Sequence, residues 1–244
     1  MPVANPAFGW IEAFASFVLV AVAAFLVTWV VTERLRVPRA PYVAILIGVS
    51  LGLGAAYVAW SGTSFVDLIA EDWGWGLLAG FVAAALAVPL VRRLPARPRP
   101  VGGRLAGLLV WEGIAYGVAE AVLLATLPVV AVWQAAADLA WTTGAWAKVG
   151  SGALAIAAAL VVILVHHLGY EEFRTREARP KLAGALATCG LQGLAFLVTG
   201  NVLAPVLAHI VLHGQMLLRG VELPPVASLL KVVPGHAIGE WTRS

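Results

Sequence analysis

The sequence predicts an all-α fold, a polytopic transmembrane helical bundle of about seven spans, on the basis of three observations. Hydrophobic residues make up 61% of the 244-residue chain and charged residues only 12%, against about 25% charged in an ordinary globular domain. The apolar residues form runs of about 20, the length that crosses the hydrocarbon core of a bilayer. Short clusters of charged residues separate these runs.

Seven segments have the length and composition of a span: 9–32, 41–60, 74–93, 105–132, 147–168, 182–199 and 201–218. The first ends in Glu33-Arg34-Leu35-Arg36 rather than in a small-residue cleavage site, which predicts a retained helix instead of a signal peptide. Only Thr199-Gly200-Asn201 separates the last two segments. They form either a tight helical hairpin or one re-entrant unit, so we expect six to eight spans.

A linker rich in proline and arginine divides the chain. Residues 1–104 hold the first three spans and this linker, residues 105–218 hold the histidine-containing core, and residues 219–244 form a cytoplasmic tail. The single cysteine, Cys189, excludes an intrachain disulfide. Because the basic residues flank apolar spans, the positive charge indicates membrane topology and no nucleic-acid partner.

The basic residues also predict the orientation. Of the 16 Lys and Arg residues, 15 follow spans 1, 3, 5 and 7, and only Lys148 lies on the other side. By the positive-inside rule, we expect the N-terminus outside and the C-terminus in the cytoplasm. Seven tryptophans fall at the opposite, outer interface: Trp10, Trp60, Trp73, Trp75, Trp133, Trp141 and Trp146. The chain is therefore expected to be a multi-pass protein of the cell membrane, in a prokaryotic plasma membrane.

Ionisable side chains inside the spans are functional candidates, because charge is costly to bury in a bilayer. They are Glu112 and Glu120 in the fourth span, His166 and His167 at the end of the fifth, and His209 and His213 in the seventh. Such a set could activate a water, ligate a metal or relay protons. It could also serve only as hydrogen-bonding groups between helices. The residue types alone leave these alternatives open.

The stretch from Thr199 to His213 resembles the third motif of the CPBP intramembrane proteases. This family includes the CAAX prenyl endopeptidases and abortive-infection-like proteins of bacteriocin processing and immunity. Its members typically have a Thr-Gly turn followed by Ala-His-x-x-x-Asn. Ala208-His209 matches this pattern, and His213 occupies the place of the Asn.

Two further motifs of the family have weaker counterparts. The run from Ile163 to Leu168 resembles Phe-x-x-x-His, which makes His167 the match and His166 its alternative. Glu120 resembles the first Glu of Glu-Glu-x-x-x-Arg, with Ala121 and Ala125 in place of the second Glu and the Arg.

A literal copy of the first motif, Glu171-Glu172-Phe173-Arg174-Thr175-Arg176, stands in the charged loop after span 5. It also follows the only candidate for the second motif, in the wrong order for the family. We therefore assign Glu120, in an apolar helix, as the glutamate of the first motif.

The resemblance covers residues 105–215 and implies an intramembrane endopeptidase. Glu120 and His167 would activate a water near the cytoplasmic side, and His209 with His213 would stabilise the oxyanion. Both glutamate-protease and metalloprotease descriptions are used for the family. A divalent metal such as zinc is therefore a candidate cofactor, with His167, His209 and His213 as its ligands. The expected partners are the lipid bilayer and a membrane-associated peptide or protein substrate.

The departures from the first and third motifs leave two alternatives to a protease. One is a non-catalytic member of the same scaffold. The other is a membrane transporter that uses the buried glutamates and histidines.

Overall fold

The structure is a computed structural model that describes residues 8–221. Within this range it contains helices and no strand, and six of the helices are long and apolar enough to cross a membrane. The predicted all-α, polytopic bundle is confirmed. Of the predicted tail 219–244, only residues 219–221 are described. Lys231 and Arg243, two of the 15 residues that predict the orientation, lie outside the described residues.

The helices follow one another as α1 (Trp10–Arg34), α2 (Arg39–Ser61), α3 (Phe65–Ala70), α4 (Trp73–Arg92), α5 (Gly102–Asp138), α6 (Ala145–Leu168), α7 (Arg179–Thr199) and α8 (Leu203–Leu218). A 3-10 turn, Glu171–Arg174, lies between α6 and α7. The seven predicted spans correspond to α1, α2 and α4 to α8, within three residues at each end except that α5 ends six residues later than predicted. Helix α8 has 16 residues, which is about 24 Å at 1.5 Å per residue.

The outer helices expose large apolar side chains. Ile11, Phe14 and Leu19 are exposed on α1, and Phe81 and Leu86 on α4. In water such a surface would be unfavourable, whereas lipid chains solvate it. Smaller residues of the same helices face the interior of the bundle.

Helix α5 is the centre of the bundle. It has 37 residues and packs against α1, α2, α6, α7 and α8. Two stretches of wider, π-helical turns interrupt it, Leu109–Ala115 and Ala121–Thr126. Such turns change the direction of the side chains around them and occur frequently at functional sites. Glu120 is the residue immediately before the second stretch.

The short connection between α7 and α8 depends on Gly200 and Asn201. Gly200 ends α7 with a left-handed φ of 66°, a conformation that glycine adopts without steric cost. The Asn201 amide donates to the carbonyl oxygens of Ile69 and Glu71, and its Oδ1 accepts from the N–H of Leu203. These bonds fix the turn against the end of α3 and make α7 and α8 two separate helices.

Glycines allow α8 to approach α4 and α5 closely. A Cβ atom at Gly80 of α4 would lie 2.8 Å from a backbone oxygen of α8, and one at Gly117 of α5 would lie 3.1 Å from the backbone nitrogen of Ile210. Gly113, one turn before Gly117, faces Gly214. Small residues at this spacing favour close helix packing in membranes. The contact brings the histidine-bearing side of α8 next to Glu120.

Candidate functional site

Glu120 lies near the middle of α5 and is only 7% exposed. Both of its carboxylate oxygens have partners. Tyr116 donates from Oη to Oε1 over 2.6 Å, and His213 donates from Nε2 to Oε2 over 2.7 Å. His166 Nε2 lies 3.3 Å from Oε1. The bundle thus brings together a carboxylate from α5 and imidazoles from α6 and α8, although they are far apart in sequence.

The histidine of α6 that contacts Glu120 is His166, whereas the motif pattern predicts His167. His166 is fully buried, and its Nδ1 lies 2.9 Å from Thr28 Oγ1 of α1. His167, the next residue of the helix, points in a different direction from His166. Its Nδ1 donates to the carbonyl oxygen of Ile163 over 2.9 Å, and its ring packs edge-on against Phe173 at 4.9 Å. His167 lines the same cavity as Glu120, but it is not among the residues whose possible metal-ligand atoms lie close to Glu120.

A ring of hydrogen-bonding groups connects Glu120 to His166. In order around this ring stand Glu120, Tyr116, Tyr170, Tyr42, Thr28 and His166. The hydroxyls of Tyr42 and Tyr170 lie 2.8 Å apart, while the steps from Tyr116 to Tyr170 and from Tyr42 to Thr28 are longer, at 3.5 and 3.4 Å. Burial raises the pKa of Tyr170 well above its ordinary value, so its hydroxyl remains protonated and able to donate. The last step of the ring, from His166 Nε2 to Glu120 Oε1, is a 3.3 Å contact and not a hydrogen bond. The other steps hold Glu120 and His166 in position.

His209 presents one ring nitrogen to the site. Its Nδ1 donates to the carbonyl oxygen of Pro205 over 3.3 Å. A carbonyl oxygen can only accept, so in the neutral imidazole Nε2 carries the lone pair. The ring stacks on that of His213, with 6.0 Å between centroids and 19° between planes. His209 is therefore oriented as an acceptor or a metal ligand.

Three of these residues could hold a divalent metal ion. One ligand atom each from Glu120, His209 and His213 lies within 4.8 Å of the other two. Two imidazole nitrogens with one carboxylate oxygen form a zinc donor set that leaves a fourth position open. Ligating histidines usually donate their other N–H to a carbonyl or carboxylate, as His209 does to Pro205. The residues fit a metal, and Glu120 takes the place that the sequence assigns to His167.

A cavity of about 730 Å³ leads to the site. Its wall includes Tyr116, Glu120, His166, His209 and His213 together with the exposed Arg93, Arg97 and Lys181. These three basic residues belong to the clusters that the positive-inside rule assigns to the cytoplasm. The cavity therefore joins the buried residues to the end of the bundle that is predicted to be cytoplasmic.

Glu112, the other glutamate of α5, forms an ion pair outside this cluster. Arg39 Nε donates to Glu112 Oε2 over 2.8 Å, and the guanidinium lies over the Tyr116 ring at 4.6 Å from its centroid. Arg39 counts as a loop charge in the sequence pattern, but it is the first residue of α2 and is only 8% exposed. A buried charge needs such a partner, and the pair also packs against the tyrosine that orients Glu120.

The literal Glu-Glu-x-x-x-Arg segment lies outside the transmembrane helices, as the sequence predicts. Its first four residues form the 3-10 turn after α6. Arg174 donates to the carbonyl oxygens of Leu168 and Gly169 over 2.8 and 3.0 Å. A cation at this position stabilises the C-terminal end of a helix. The segment thus terminates the helix that carries His166.

Helical periodicity places His166 in a buried series of α6, although buried Ile163 leads by the same spacing to His167. The buried residues Ser151, Ala155, Ala159 and Val162 on α6 are three or four positions apart, and the next position in this series is His166. Small or β-branched residues in such a series mark the face that packs inward. Tyr116 stands one turn before Glu120 on the same helix, a spacing that the sequence shows. Tyr42 and Tyr170 carry no comparable signal, because their partners lie on other elements.

No protein-family model matches the chain, and no curated protein and no solved structure shows significant similarity to it.

Proposed function

We propose that the chain is an intramembrane endopeptidase of the CPBP type, in which Glu120 activates a water for attack on a peptide bond. The observation that carries this proposal is the environment of Glu120. It is a buried carboxylate, held by Tyr116, His166 and His213, on a cavity that reaches the basic end of the bundle. The motif-like stretch from Thr199 to His213 supports the same function.

The geometry suits general-base catalysis, which requires an oriented base within hydrogen-bond reach of the water. As Glu120 takes a proton from the water, the water oxygen forms a bond to the carbonyl carbon of the substrate. Cleavage of the C–N bond then returns this proton to the leaving nitrogen, giving a carboxylic acid and an amine. His166 and Tyr116 keep the carboxylate in place throughout, since both contact Oε1.

Glu120, His209 and His213 would hold a zinc ion, which when bound supplies Lewis-acid activation of the water and of the carbonyl group. The contribution of the protein is then the positioning of these ligands. Pro205 fixes the ring of His209, and Tyr116 fixes the carboxylate of Glu120. These contacts would position Glu120 as a ligand when the ion is bound and as the general base when it is absent.

The substrate in this proposal is a membrane-associated peptide or protein that enters from the cytoplasmic side of a prokaryotic plasma membrane. One feature of the cavity supports this side, and another supports this kind of substrate. The cavity wall includes the basic residues of the predicted cytoplasmic face, and most of its other residues are apolar. An apolar cavity accepts a lipid-embedded segment without the cost of removing polar groups from water.

The test compares the peptide termini that arise in membranes containing the wild type, Glu120→Gln or Glu12→Gln. Glu12 is the matched control, because its carboxylate binds the N–H of Gly9 at the start of α1, away from the cavity. Removing a general base lowers the rate by about 10²–10⁴. We expect new termini, measured by mass spectrometry, in the wild-type and Glu12→Gln membranes but not in Glu120→Gln. Identical termini in all three, and in membranes lacking the protein, would reject the protease.

A further inference from the structure

We infer that Gln192 of α7 binds the main chain of the substrate, with Nε2 donating to a carbonyl oxygen and Oε1 accepting from an N–H group. The ligand is an extended, non-helical peptide segment. This assignment rests on the proposed function, and it adds a residue that no motif in the sequence indicates.

The first observation is that Gln192 is buried without a partner. Gln192 is only 1% exposed. Neither Nε2 nor Oε1 of its side chain has a hydrogen-bond partner among the described residues. Leaving both polar atoms of a buried amide unpaired is unfavourable. In native proteins such a group requires an explanation. A ligand that supplies both partners provides one.

The second observation is the location of Gln192. It lines the cavity that also contains Glu120 and His209, and Thr188 and Cys189, one turn earlier on α7, line the same cavity. Gln192 therefore belongs to the wall on which a substrate would lie, with its two amide atoms covered in the free protein.

The chemistry of a primary amide determines what it can bind. It presents a donor and an acceptor side by side, like the N–H and C=O of one residue in an extended strand, which point to the same side. A helical segment uses these groups internally and offers no such pair. Gln192 therefore selects a substrate segment that is locally unwound.

The hydrogen bonds of the two histidines of α8 also support a donor role for Gln192. Within residues 8–221, His213 uses its Nε2–H on Glu120 and His209 uses its Nδ1–H on Pro205. Neither neutral ring then has a second N–H for the oxyanion that forms during hydrolysis. Gln192 Nε2 has N–H groups that no residue of the described chain accepts from, and it would donate to this oxygen.

The first experiment measures the thermal stability of the full chain in detergent for Gln192→Met and Gln134→Met. Gln134 is the matched control, a buried glutamine whose Oε1 accepts from Tyr57 and whose Nε2 donates to Thr63. We expect Gln192→Met to raise Tm by about 2–4 °C, since it removes an unpaired amide. Gln134→Met should lower Tm. A decrease in Tm for both variants would assign Gln192 a structural role and overturn the inference.

The second experiment measures binding without turnover, in the Glu120→Gln background. The probe is decanoyl-Leu-Leu-amide, which carries peptide groups on an apolar chain, and n-decanol is the control that lacks them. We expect the probe to raise Tm in Glu120→Gln but not in Glu120→Gln/Gln192→Met, with no effect of n-decanol in either. Equal shifts in both proteins, or no shift in Glu120→Gln, would overturn the inference.

These measurements separate the inference from the proposed function. A probe-dependent shift that requires Gln192, in a protein whose wild type produces no new termini, would reject the protease and leave peptide binding standing. New termini that require Glu120 but persist at the wild-type rate in Gln192→Met would reject the inference and leave the protease standing.

Discussion

At the scale of single residues, Glu120 is oriented by groups that differ from those of the motif it resembles. The second Glu and the Arg of that motif are replaced by Ala121 and Ala125, which are completely buried. Tyr116 and His213 bind the two carboxylate oxygens instead. A tyrosine one turn before a glutamate on the same helix reaches it directly, so the loss of the motif residues does not leave Glu120 unsupported.

The choice between the two adjacent histidines of α6 is directly testable. We expect His166→Ala to lower the rate of substrate cleavage by about 10², because His166 contacts Glu120 Oε1. His167→Ala should lower the rate by less than 10-fold, since this ring packs on Phe173. Cleavage assays on membranes with matched protein levels measure both rates. A larger loss in His167→Ala than in His166→Ala would restore the assignment from the motif.

At the scale of helices, the start of α5 explains how three distant residues meet. From the predicted span, Glu120 lies roughly 22 Å from the inner end at 1.5 Å per residue, whereas His166 lies close to the end of α6 at Leu168. The sequence therefore requires the fourth span to start further inside or to tilt. Helix α5 does begin earlier, at Gly102, and with 37 residues it is the longest of the described helices. The contacts of Glu120 with His166 and His213 show that the three residues lie at one level of the bundle.

The close approach of α5 to α8 predicts the effect of adding one methyl group. In Gly117→Ala the new Cβ would lie 3.1 Å from Ile210 N and 3.3 Å from the carbonyl carbon of His209. Overpacking of this kind costs about 1–3 kcal/mol. It should also move His213 away from Glu120. We expect a lower Tm together with a lower rate of cleavage.

The control for this variant is Gly107→Ala on the same helix. A Cβ at Gly107 meets no atom of the described chain within 4 Å, and alanine favours a helix interior by about 1 kcal/mol over glycine. Gly107→Ala should therefore retain activity and match or exceed the wild-type Tm. Equal Tm values for the two variants would show that the α5–α8 contact is looser than described.

At the scale of the whole molecule, the cavity opens at the end of the bundle where the basic residues are concentrated. The basic residues that predict the cytoplasmic face include Arg93 and Lys181, which line the cavity. If the positive-inside rule holds for this chain, the site opens to the cytoplasm. A substrate of the proposed protease would then enter from that side.

Cysteine labelling in intact cells tests this orientation. In a Cys189→Ala background, Thr143→Cys places a thiol on the exposed loop after α5, and Arg176→Cys places one on the exposed loop after α6. We expect a membrane-impermeant maleimide to label Thr143→Cys in intact cells and Arg176→Cys only after lysis. The reverse pattern would invert the molecule and place the cavity on the outside.

Much of the fold follows from the sequence because its determinants are local. The length of each apolar run specifies a helix, and the charged clusters specify where each helix ends. Seven segments predicted in this way correspond to seven helices of the bundle. The residues that lie deep in apolar segments were identifiable for the same reason, including Glu120, His209 and His213.

The tertiary structure decided which of these residues meet. Successive residues of a helix point about 100° apart, so the rotation of α6 against α1 and α5 selects His166 over His167 as the partner of Glu120. The same kind of rotation pairs Arg39 with Glu112 and joins Tyr42 to Tyr170. It also leaves Gln192, which lines the cavity, without a hydrogen-bond partner among residues 8–221. Sequence determined the helices and their buried ionisable residues, whereas contacts between helices depend on packing that no single segment encodes.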